Sequence, residues 1–520
     1  MNFFFRTNFN NRIGLGHLIR ILRLYSLLKR HHKCEIFIDK YDNSISHIAP
    51  NEIFKELYLK KKFKNQITDA KIFAKKINPS KNGYVIVDDY RLDIIWEKFI
   101  SKEKKVKIVT LDDLNNRKHY SDFFINYDCR HYGQQNFDFS LNKKKSAKYL
   151  LGPKYCILPL NAIENKKRKI FFFTLTINFG GGGDLKTIRN FLNKLILKFK
   201  TKKNIRINVV LGPLSKNKNI ILELAQKNKN IIPIQKQKNL IQIYQNSDLF
   251  FGSAGTSVFE TALVNLPSIL ISIAKNQDTD ISYLEKIGHY IFLQKNCTKE
   301  LDKLIELILI NIKFYKRIRK LSETVQIKID EKGTERIVKT ICSKNPKVEK
   351  NFEKKIKLNT KKKLLIKGVT DSEINHYLKS RNLKINTNHS TNTEKIKSLD
   401  HYIWWFKTNR KSFVLMRDKK KILYFYEEKI FKIKNKEFYL SGWFACSKDC
   451  TIKEILFALN WQKNKKKNIN WLSFIKKNNK LSIYLSKYLD WKIMKNNDAA
   501  LQKLKLHYKI KSKNFIFYKR

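Results

Sequence analysis

Short apolar runs alternate with amphipathic stretches over the first two-thirds of this chain, and this alternation constrains the fold more than any other feature. The sequence predicts buried strands at 3–5, 35–38, 84–89 and 107–113. Amphipathic stretches such as 17–30 and 66–77 lie between these strands and predict helices. Strands that alternate with helices are typical of a parallel α/β sheet. The pattern begins again with a strand at 169–179, so we expect two successive Rossmann-like lobes with a cleft between them.

The chain has 520 residues, too many for one hydrophobic core, and its composition indicates where it divides. One stretch is charged, contains proline and lacks apolar periodicity, as a linker does. After it, aromatic residues become dense and glycines almost vanish. The sequence therefore predicts an N-terminal α/β lobe at 1–160, a second α/β lobe at 161–342, a linker at 343–363 and a smaller α+β domain at 364–520.

The formal net charge is +63, which raises the question of nucleic-acid binding. The lysines are spread over loops, helix faces and domain ends alike, and no recognisable nucleic-acid-binding motif is present. We therefore expect no specific nucleic-acid partner. The charge should still attract anionic ligands, and a sugar linked to a nucleoside diphosphate is one.

The cysteines and the apolar runs indicate the cellular compartment in which the protein is expected. The seven cysteines are scattered and form no disulfide framework or zinc motif, which fits a reducing cytoplasm. No uncharged apolar run is long enough for a transmembrane helix, so no membrane insertion is expected. The apolar start of the sequence has no charged leader or small-residue cleavage site, so it predicts a first strand rather than a signal peptide.

The strongest motif joins the first predicted strand to the first predicted helix. Gly14 and Gly16 let the backbone approach a ligand closely, and His17 follows at the expected helix start. The positive end of a helix favours the neutral form of an imidazole, which can then act as a general base. A lone histidine on a turn would be structural, whereas this position between strand and helix predicts a catalytic one.

Two further strand–helix junctions are rich in small residues and lie in the second lobe. Backbone without side chains at a helix start suits a diphosphate, so the first junction predicts substrate contacts at Gly182, Gly183 and Asp184. The second junction ends a strand and opens a helix with Ser253, Ala254, Gly255 and Thr256. Glu260, one turn into that helix, could accept hydrogen bonds from two ribose hydroxyls, or it could be an ordinary exposed helix residue.

Polar residues follow two other predicted strands. Asn276 and Gln277 come after an apolar strand, where amides could hold sugar hydroxyl or acetamido groups without adding charge. In the first lobe, Asp88, Asp89 and Tyr90 stand at a strand end that faces the same cleft by topology. The two aspartates are equally consistent with helix caps.

Motifs in a fixed order extend over about residues 1–340: RTN, IGLGHLIR, VDDYRLD, LDD with a later Asp122, LLGPKYCILP, FGGGGD, SAGTSVFE, AKNQ and IDEKGTERI. As a set they resemble the UDP-sugar hydrolases of pseudaminic acid biosynthesis, which are related in fold to the MurG-type glycosyltransferases of the two-lobed GT-B class. The resemblance implies that water attacks the anomeric carbon of a UDP-2,4-diacetamido-2,4,6-trideoxy sugar with inversion, and that UDP departs.

The same resemblance implies roles for individual residues. His17 would activate the water, and Tyr90 and Asn276 would line the sugar site. The SAGTSVFE segment would hold uridine and ribose, and the glycine loops would hold the diphosphate. Further substrate contacts are expected at Gly14, Gly16, Arg20 and Gln277. Neither a metal nor a cofactor is implied for these two lobes.

Three positions depart from the family pattern. Asn8 stands where the family usually has an aspartate; if that carboxylate orients the histidine, Asn8 would stabilise an imidazolium less well. The usual Asp-His-Tyr-Gly is Asp-Asp-Tyr-Arg at 88–91. The run at 180–183 carries an extra glycine, which leaves its register open. These departures bear on the identity of the sugar more than on the class of reaction.

The C-terminal region resembles the GNAT N-acetyltransferases. The resemblance is carried in order by Arg381-Asn382, Asp400-His401, the aromatics at 404–406, and the segment 479–491. It implies an α+β GNAT-like domain with acetyl-CoA as its cofactor. That family holds the CoA pyrophosphate on a glycine-bearing loop, whereas 446–459 has no glycine, and Ser486 stands where many members have an acid tyrosine. We therefore expect a degenerate, non-catalytic domain whose aromatics pack in a core.

Two other functions remain open at this level. A glycosyltransferase of the same fold would use an acceptor hydroxyl in place of water. A non-enzymatic basic protein that binds nucleic acid or a membrane surface would be favoured only by the net charge of +63.

Overall fold

The computed structural model of the chain divides into two compact units, Met1–Lys354 and Lys355–Arg520. The predicted linker at 343–363 lies largely outside the described part of the chain. The structure describes residues 1–11, 13–58, 62–79, 82–134, 136–163, 172–199, 204–295, 299–344, 346, 363–391, 393–465, 469–508, 510 and 512–520.

The first lobe of the first unit is a parallel sheet covered by helices. Its strands are β1 Asn2–Thr7, β2 Lys33–Ile38, β3 Phe54–Glu56, β4 Gly83–Asp88, β5 Lys107–Leu111, β6 Phe123–Asn126 and β7 Lys148–Leu151. Its helices are α1 Gly16–Leu28, α2 Gln66–Lys76 and α3 Ile94–Lys104. The strand order is β3-β2-β1-β4-β5-β6-β7, and the pairings are parallel.

Successive side chains of β1 enter two different cores. Phe3 and Phe5 pack in the same cluster as the apolar face of α1, whereas Phe4 packs with Phe73 of α2 and Trp96 of α3. Side chains alternate between the two faces of a strand, so a strand that is apolar throughout must be covered on both faces. This explains why β1 and β4 appear in the sequence as continuous apolar runs.

The second lobe repeats this architecture. Its strands are β8 Phe173–Asn178, β9 Ile205–Val210, β10 Ile231–Ile234, β11 Leu249–Ser253, β12 Ser268–Ile271 and β13 Ile291–Leu293, in the order β10-β9-β8-β11-β12-β13. Its helices are α4 Arg189–Phe199, α5 Lys218–Lys227, α6 Ile241–Gln245, α7 Ser257–Leu263, α8 Ile281–Glu285, α9 Leu301–Lys313 and α10 Tyr315–Ser322. The pairings are again parallel, so the prediction of two Rossmann-like α/β lobes is confirmed.

The last helix of the first unit, α11 Gly333–Cys342, returns to the first lobe. Its Thr334 hydroxyl donates a hydrogen bond of 2.8 Å to the carbonyl of Leu158, and its Arg336 guanidinium donates one of 3.0 Å to the carbonyl of Lys154. By sequence order, residues 333–342 would belong to the second lobe, which they follow. The side-chain contacts place this helix on the first lobe.

The second unit is a mixed sheet with helices. Its strands are β14 Leu364–Gly368, β15 Lys411–Arg417, β16 Lys420–Ile433, β17 Lys436–Ala445, β18 Asn470–Lys476, β19 Lys492–Ile493 and β20 Phe515–Lys519. Its helices are α12 Ile374–Arg381, α13 Lys384–Thr387, α14 Ser398–Lys407, α15 Ile452–Lys465, α16 Lys480–Tyr488 and α17 Ala499–Tyr508. The order is β14-β15-β16-β17-β18-β20-β19; β17 and β18 are parallel, and the other pairings are antiparallel.

None of the helices in the described part of the chain is long and apolar enough to cross a membrane.

Candidate active site

Each parallel sheet has a point at which the strand order reverses, between β1 and β4 in the first lobe and between β8 and β11 in the second. Connections from two such strands leave in opposite directions and open a crevice at their carboxyl ends, which is where open α/β sheets bind ligands. The loops that follow these strands are 8–15, 89–93, 179–184 and 254–256. Most of the residues predicted to form the site lie in or beside these loops.

His17 is the second residue of α1, and its imidazole is bound to the end of the neighbouring strand. Nδ1 lies 2.5 Å from Oδ1 of Asp88, the last residue of β4. Nη2 of Arg20 also lies 2.8 Å from Nδ1, but it donates to Asp88 Oδ1 at 2.7 Å, so this carboxylate oxygen can accept from both groups. A carboxylate can only accept a hydrogen bond, so with Nδ1 bound to Asp88 the proton is on Nδ1 and the lone pair is on Nε2. Nε2 makes no hydrogen bond to any residue that the structure describes. The pair therefore has the tautomer that a general base requires.

Arg20 and Asp113 complete the network around this pair. The Arg20 guanidinium donates to both carboxylate oxygens of Asp88, at 2.9 and 2.7 Å, and to Asp113 Oδ2 at 2.9 Å. Burial alone would raise the pKa of Asp113, but the Arg20 charge, the nearby His17 and the hydrogen bond from Tyr90 together outweigh burial and hold that pKa below its usual range. The Asp113 carboxylate is thus kept ionised in the network around His17.

Tyr90 stands over the imidazole. Its ring meets the His17 ring edge-on with 4.4 Å between centroids, and its hydroxyl donates a hydrogen bond to Asp113. Burial and the Asp113 charge raise the pKa of Tyr90 far above its ordinary value, so the hydroxyl remains a donor. The structure thus brings Tyr90 together with His17, and the role of Tyr90 in a sugar site is still a prediction.

Two expectations for the first lobe need correction. From the sequence, position 8 is a candidate for the group that orients the histidine. Asp88 is instead the residue bound to His17, because Thr7 and Asp88 are aligned at the ends of adjacent strands. Arg20 was predicted to contact substrate, but its side chain is buried and all three of its nitrogens already have partners. We therefore assign Arg20 a positioning role.

The open question about the two adjacent aspartates is resolved by strand geometry. Neighbouring residues at a strand end point to opposite faces. Asp88 points to His17, whereas Asp89 pairs with Arg91, with 2.6 Å between its Oδ2 and the guanidinium Nη2. Arg91 also pairs with Asp39, at 2.7 Å. Neither Asp88 nor Asp89 acts as a helix cap; the cap of α3 is Asp93.

The glycine loop of the second lobe lies directly against the loop that precedes His17. A Cβ atom on Gly182 would lie 2.5 Å from the carbonyl oxygen of Asn11, and one on Gly181 would lie 2.9 Å from side-chain atoms of Leu15. The Asn11 side chain joins the two lobes, since its amide nitrogen donates to the Leu214 carbonyl at 2.9 Å and its oxygen accepts from the Gly183 amide at 3.1 Å. The glycines are therefore needed for the approach of the two lobes.

The amides of this glycine loop are only partly available to a ligand. The Gly180 amide donates to Asn178 and the Gly183 amide donates to Asn11. In the described part of the chain, the amides of Gly181 and Gly182 have no acceptor. Asp184, predicted to contact substrate, instead caps the short helical turn at Leu185–Ile188 by accepting from the Lys186 amide at 2.9 Å.

The small-residue junction after β11 faces the start of α1. A Cβ atom on Gly16 would lie 3.6 Å from Cγ2 of Thr256, and one on Gly255 would lie 3.6 Å from Nε2 of Gln277. Gly16, which precedes His17, therefore contacts the junction of the second lobe. Ser253 is buried at the end of β11, and Ala254 follows it, with its amide bonded to the carbonyl of Ile271 at 2.9 Å.

The two predicted amides occupy the turn after β12 but differ in surroundings. Gln277 Oε1 accepts from the Ile273 amide at 3.1 Å, so its oxygen stabilises the turn. Asn276 is exposed on the same turn. No contact between Asn276 and His17 or Tyr90 is described, so its role in a sugar site is still a prediction.

Glu260, predicted to bind ribose, forms an ion pair between the lobes. Its Oε1 lies 2.6 Å from Nη2 of Arg23 on α1, and Nη1 of the same guanidinium donates to the Ile157 carbonyl at 2.9 Å. Both side chains are largely buried. The alternative of an exposed helix residue is therefore wrong, and one carboxylate oxygen is already bound.

This ion pair gives a measurable stability prediction. Removing one partner leaves the other charge largely buried and unpaired, so Glu260→Ala and Arg23→Ala should each lower the free energy of unfolding of the first unit by about 2–3 kcal/mol. The double variant should lose less than the sum of the two single changes, with a coupling of about 2 kcal/mol. Urea denaturation of the four proteins gives this coupling directly. Strict additivity would mean that the pair is screened by solvent and does not hold the lobes together.

A second buried acidic cluster lies beside the site but does not belong to it. The His119 imidazole contacts Glu97 through Nδ1 at 2.8 Å and Asp112 through Nε2 at 3.6 Å. Burial opposes the charged imidazole, but the two carboxylates outweigh burial and raise the pKa of His119 to about 9. Asp112 and Asp113 are adjacent in sequence, yet only Asp113 reaches the His17 network.

His119 therefore gives a pH-dependent stability. An unfolded histidine has a pKa of about 6.5, so the folded state holds one extra proton between that pH and about 9. The stabilisation is complete below about pH 6.5 and is lost as pH rises through 9. Between about pH 7 and about pH 8.5, the free energy of unfolding should fall by up to about 1.4 kcal/mol per pH unit, and His119→Gln should remove this slope. Urea denaturation at both pH values measures it, with the exposed His31→Gln as the control that should keep the slope.

No group of three or more histidine, cysteine, aspartate or glutamate side chains that could hold a metal ion occurs among the described residues.

In the second unit, two residues discussed with the GNAT resemblance make structural hydrogen bonds. His401 is buried, and its Nε2 donates to the Ile374 carbonyl at 2.8 Å, a structural contact. Ser486 donates to the Ser482 carbonyl at 2.9 Å within α16. Burial raises the pKa of the Cys446 and Cys450 thiols to about 12, so neither is a thiolate near neutral pH. These groups show no activated nucleophile or base.

Among solved structures, the chain is similar to the S. aureus MnaA–UDP co-structure, with 12% identity, coverage of 65% of this chain and 95% of that chain, and a TM-score of 0.44. It is also similar to Acinetobacter baumannii MurG, with 11% identity, coverage of 65% and 98%, and a TM-score of 0.42. An uncharacterized protein of Methanocaldococcus jannaschii is 24% identical over 423 residues, which are 78% of each chain. Residues 179–337, which contain the glycine loop, the small-residue junction and Glu260, match the glycosyltransferase family 28 C-terminal domain.

Proposed function

We propose that the first unit is a UDP-sugar hydrolase that releases UDP and a 2,4-diacetamido-2,4,6-trideoxy sugar by attack of water on the anomeric carbon. The observation that carries this proposal is the His17–Asp88 pair, with Nδ1 bound to the carboxylate and Nε2 without a partner among the described residues. The match of residues 179–337 to a glycosyltransferase C-terminal domain supports a nucleotide-sugar enzyme. The ordered motifs supply the choice of sugar and of water as nucleophile.

The chemistry needs few groups, because UDP is already a good leaving group. Nε2 of His17 takes a proton from water as the water oxygen bonds to the anomeric carbon. The bond from that carbon to the diphosphate oxygen breaks with its electron pair, and UDP leaves. Asp88 stabilises the imidazolium that forms, as a carboxylate does behind a histidine base. The proton, the electron pair and the leaving group are thus all accounted for.

The groups around His17 position the imidazole, the diphosphate and the sugar. Arg20 holds Asp88 in place through two hydrogen bonds, so the imidazole cannot rotate freely. The unbonded amides of Gly181 and Gly182 are suited to the negative charge that develops on the diphosphate. Tyr90 lies against the imidazole, and with Asn276 it is proposed to line the sugar site.

The test is incubation of the full chain with the UDP-2,4-diacetamido-2,4,6-trideoxy sugar, with released UDP followed by chromatography and the sugar anomer by NMR. We expect UDP and free sugar in equal amounts, with inversion at the anomeric carbon. UDP-N-acetylglucosamine serves as the comparison substrate and should turn over far more slowly. Equal rates on both substrates would contradict the proposed sugar, and no UDP release from either would contradict the reaction.

A glycosyltransferase is the second candidate, and the family 28 match favours it. In that reaction His17 would deprotonate an acceptor hydroxyl in place of water. The two reactions differ in their dependence on acceptor: a transferase releases little UDP until an acceptor is added, whereas a hydrolase releases it at the same rate throughout. Adding simple sugar alcohols and measuring glycoside products by mass spectrometry distinguishes them.

A further inference from the structure

Arg117, which follows β5, holds the loop that carries Tyr90. Its Nη1 donates a hydrogen bond to the carbonyl of Tyr90 and another, of 3.1 Å, to the carbonyl of Leu92, and the Asp89 carbonyl oxygen lies 3.4 Å from the same nitrogen. Carbonyls in a loop lack the regular partners of a strand or helix, and a guanidinium that binds several of them restricts the main chain. The course of the 89–93 loop is therefore fixed from outside the loop.

The same guanidinium contacts the ring of Tyr90. It lies 5.3 Å from the ring centroid, and a cation over an aromatic face is attracted to the ring electrons. The His17 imidazole meets this ring edge-on, with 4.4 Å between the centroids. In the described part of the chain, Arg117 makes no hydrogen bond to His17. It contacts instead the main chain and the ring of the residue that lies against the imidazole.

Asp112 holds Arg117 in turn. Its Oδ1 accepts a hydrogen bond of 2.5 Å from Nη2 of Arg117, and its Oδ2 accepts one of 3.0 Å from the Asn115 amide, which lies in the turn between them. The carboxylate is fully buried. Burial alone would raise the pKa of Asp112, but His119 and Arg117 outweigh burial and hold that pKa far below its usual range. The carboxylate that anchors the guanidinium therefore remains ionised.

Two adjacent aspartates after β5 thus act on Tyr90 by different routes. Asp113 accepts a hydrogen bond from the tyrosine hydroxyl, and Asp112 binds the arginine that contacts the ring and the carbonyl. The hydroxyl, the ring and the main chain of Tyr90 each have a partner in the segment 112–117. The position of Tyr90 beside His17 therefore depends on that segment.

We propose that Arg117 is a positioning residue, which fixes Tyr90 against the imidazole of His17 in the geometry that the reaction needs. This inference rests on the nucleotide-sugar reaction proposed above, because Tyr90 affects the rate only if the sugar binds beside it. Groups around a reacting centre must be held within about 0.5 Å of the productive geometry, so a shift of Tyr90 lowers the rate although no reacting group is lost. Arg117 itself takes no part in proton transfer.

Arg117→Lys tests this role with the charge retained. An ammonium group keeps the ion pair with Asp112 but lacks the planar fork that reaches two carbonyls and covers the ring. We expect kcat/KM for the UDP-2,4-diacetamido-2,4,6-trideoxy sugar to fall at least about tenfold, with UDP affinity within about twofold of the wild type, because the second lobe is proposed to hold UDP. Steady-state kinetics and calorimetry on the full chain measure the two quantities. If the wild type releases UDP and Arg117→Lys has the same kcat/KM, the proposal is wrong.

The dependence on Tyr90 is tested by repeating the substitution in a second background. If Arg117 acts through Tyr90, then Arg117→Lys should cost no more than about twofold in kcat/KM once Tyr90→Ala has removed the ring and the hydroxyl. The same tenfold or greater loss in both backgrounds would show that Arg117 acts on the reaction by another route, and it would overturn the proposal.

Arg336→Lys is the matched control. Arg336 also pairs with an aspartate, with 2.6 Å between its Nη2 and Oδ2 of Asp330, and it also donates to a main-chain carbonyl, that of Lys154 at 3.0 Å. It lies on α11 and makes no hydrogen bond to the described residues of the candidate site. This variant should leave kcat/KM unchanged. Equal losses from both lysine variants would indicate a general effect on stability and would contradict a positioning role.

Amide hydrogen exchange of the full chain without substrate supplies a readout that does not need turnover. The Arg91 amide donates to Asp89 Oδ1 at 3.0 Å and the Leu92 amide to the Asp89 carbonyl at 3.1 Å, so both are protected in the fixed loop. Arg117→Lys should raise exchange at these amides, and Arg336→Lys should not. Unchanged exchange there in Arg117→Lys would overturn the proposal. A wild type that releases no UDP, with exchange raised as expected, would instead contradict the proposed reaction.

Discussion

Asp88→Asn should lower the rate of UDP release about a thousandfold while leaving the affinity for UDP nearly unchanged. An asparagine amide beside Nδ1 can donate to it, and the imidazole would then carry its proton on Nε2, where it cannot act as a base. The substitution also leaves the buried Arg20 guanidinium without its bidentate acceptor. Steady-state kcat and a separate UDP titration measure the two effects.

The adjacent residue supplies the control for this prediction. Asp89→Asn removes the same charge one position further along, but Asp89 pairs with Arg91 on the opposite face of the strand end. It should therefore lower kcat by no more than several-fold. Similar losses from both variants would indicate a general effect on the folding of this strand end and would contradict a specific role for Asp88.

His17→Gln should reduce kcat by about 10² to 10⁴, the range that general bases contribute, with UDP still bound normally. Glutamine retains a polar side chain of similar size but has no group that accepts a proton near neutral pH. Steady-state kinetics give kcat, and calorimetry gives the UDP affinity of the wild type and the variant.

Asn8→Ala distinguishes the structure from the expectation based on sequence. If position 8 oriented the histidine, this variant would behave like His17→Gln. Because Asp88 occupies the Nδ1 side of the imidazole, we expect only a small loss from Asn8→Ala. UDP release that persists undiminished in His17→Gln would show that another group activates the water.

Much of the first unit could be predicted from sequence, because its strands, helices and glycine loops are each indicated by a short stretch of residues. Apolar runs and amphipathic stretches gave the strands and helices of two α/β lobes, and glycines before His17 gave the loop at a helix start. Topology then accounts for the convergence of these loops, since carboxyl ends of parallel strands share one edge. The pattern of the second unit predicted an α+β domain. The structure has helices with a sheet in which one strand pair is parallel and the others are antiparallel.

The sequence could not show which of two adjacent residues enters a given side-chain network. Two adjacent aspartates at 88 and 89 are equivalent in a sequence, and only the orientation of β4 decides which one faces His17. The same holds for Asp112 and Asp113, which enter different networks. The ion pair between Arg23 and Glu260 joins residues from different lobes, and no local sequence pattern predicts it.

The contact between the glycine loop and the loop before His17 has a further consequence. It includes a close approach between main-chain atoms of Gly182 and Asn11, and a change of side-chain rotamer cannot relieve that approach. Packed surfaces of this kind deform little, and they switch between discrete arrangements. The spacing between His17 and the amides of the glycine loop should therefore take two values, one with the lobes in contact and one with them apart.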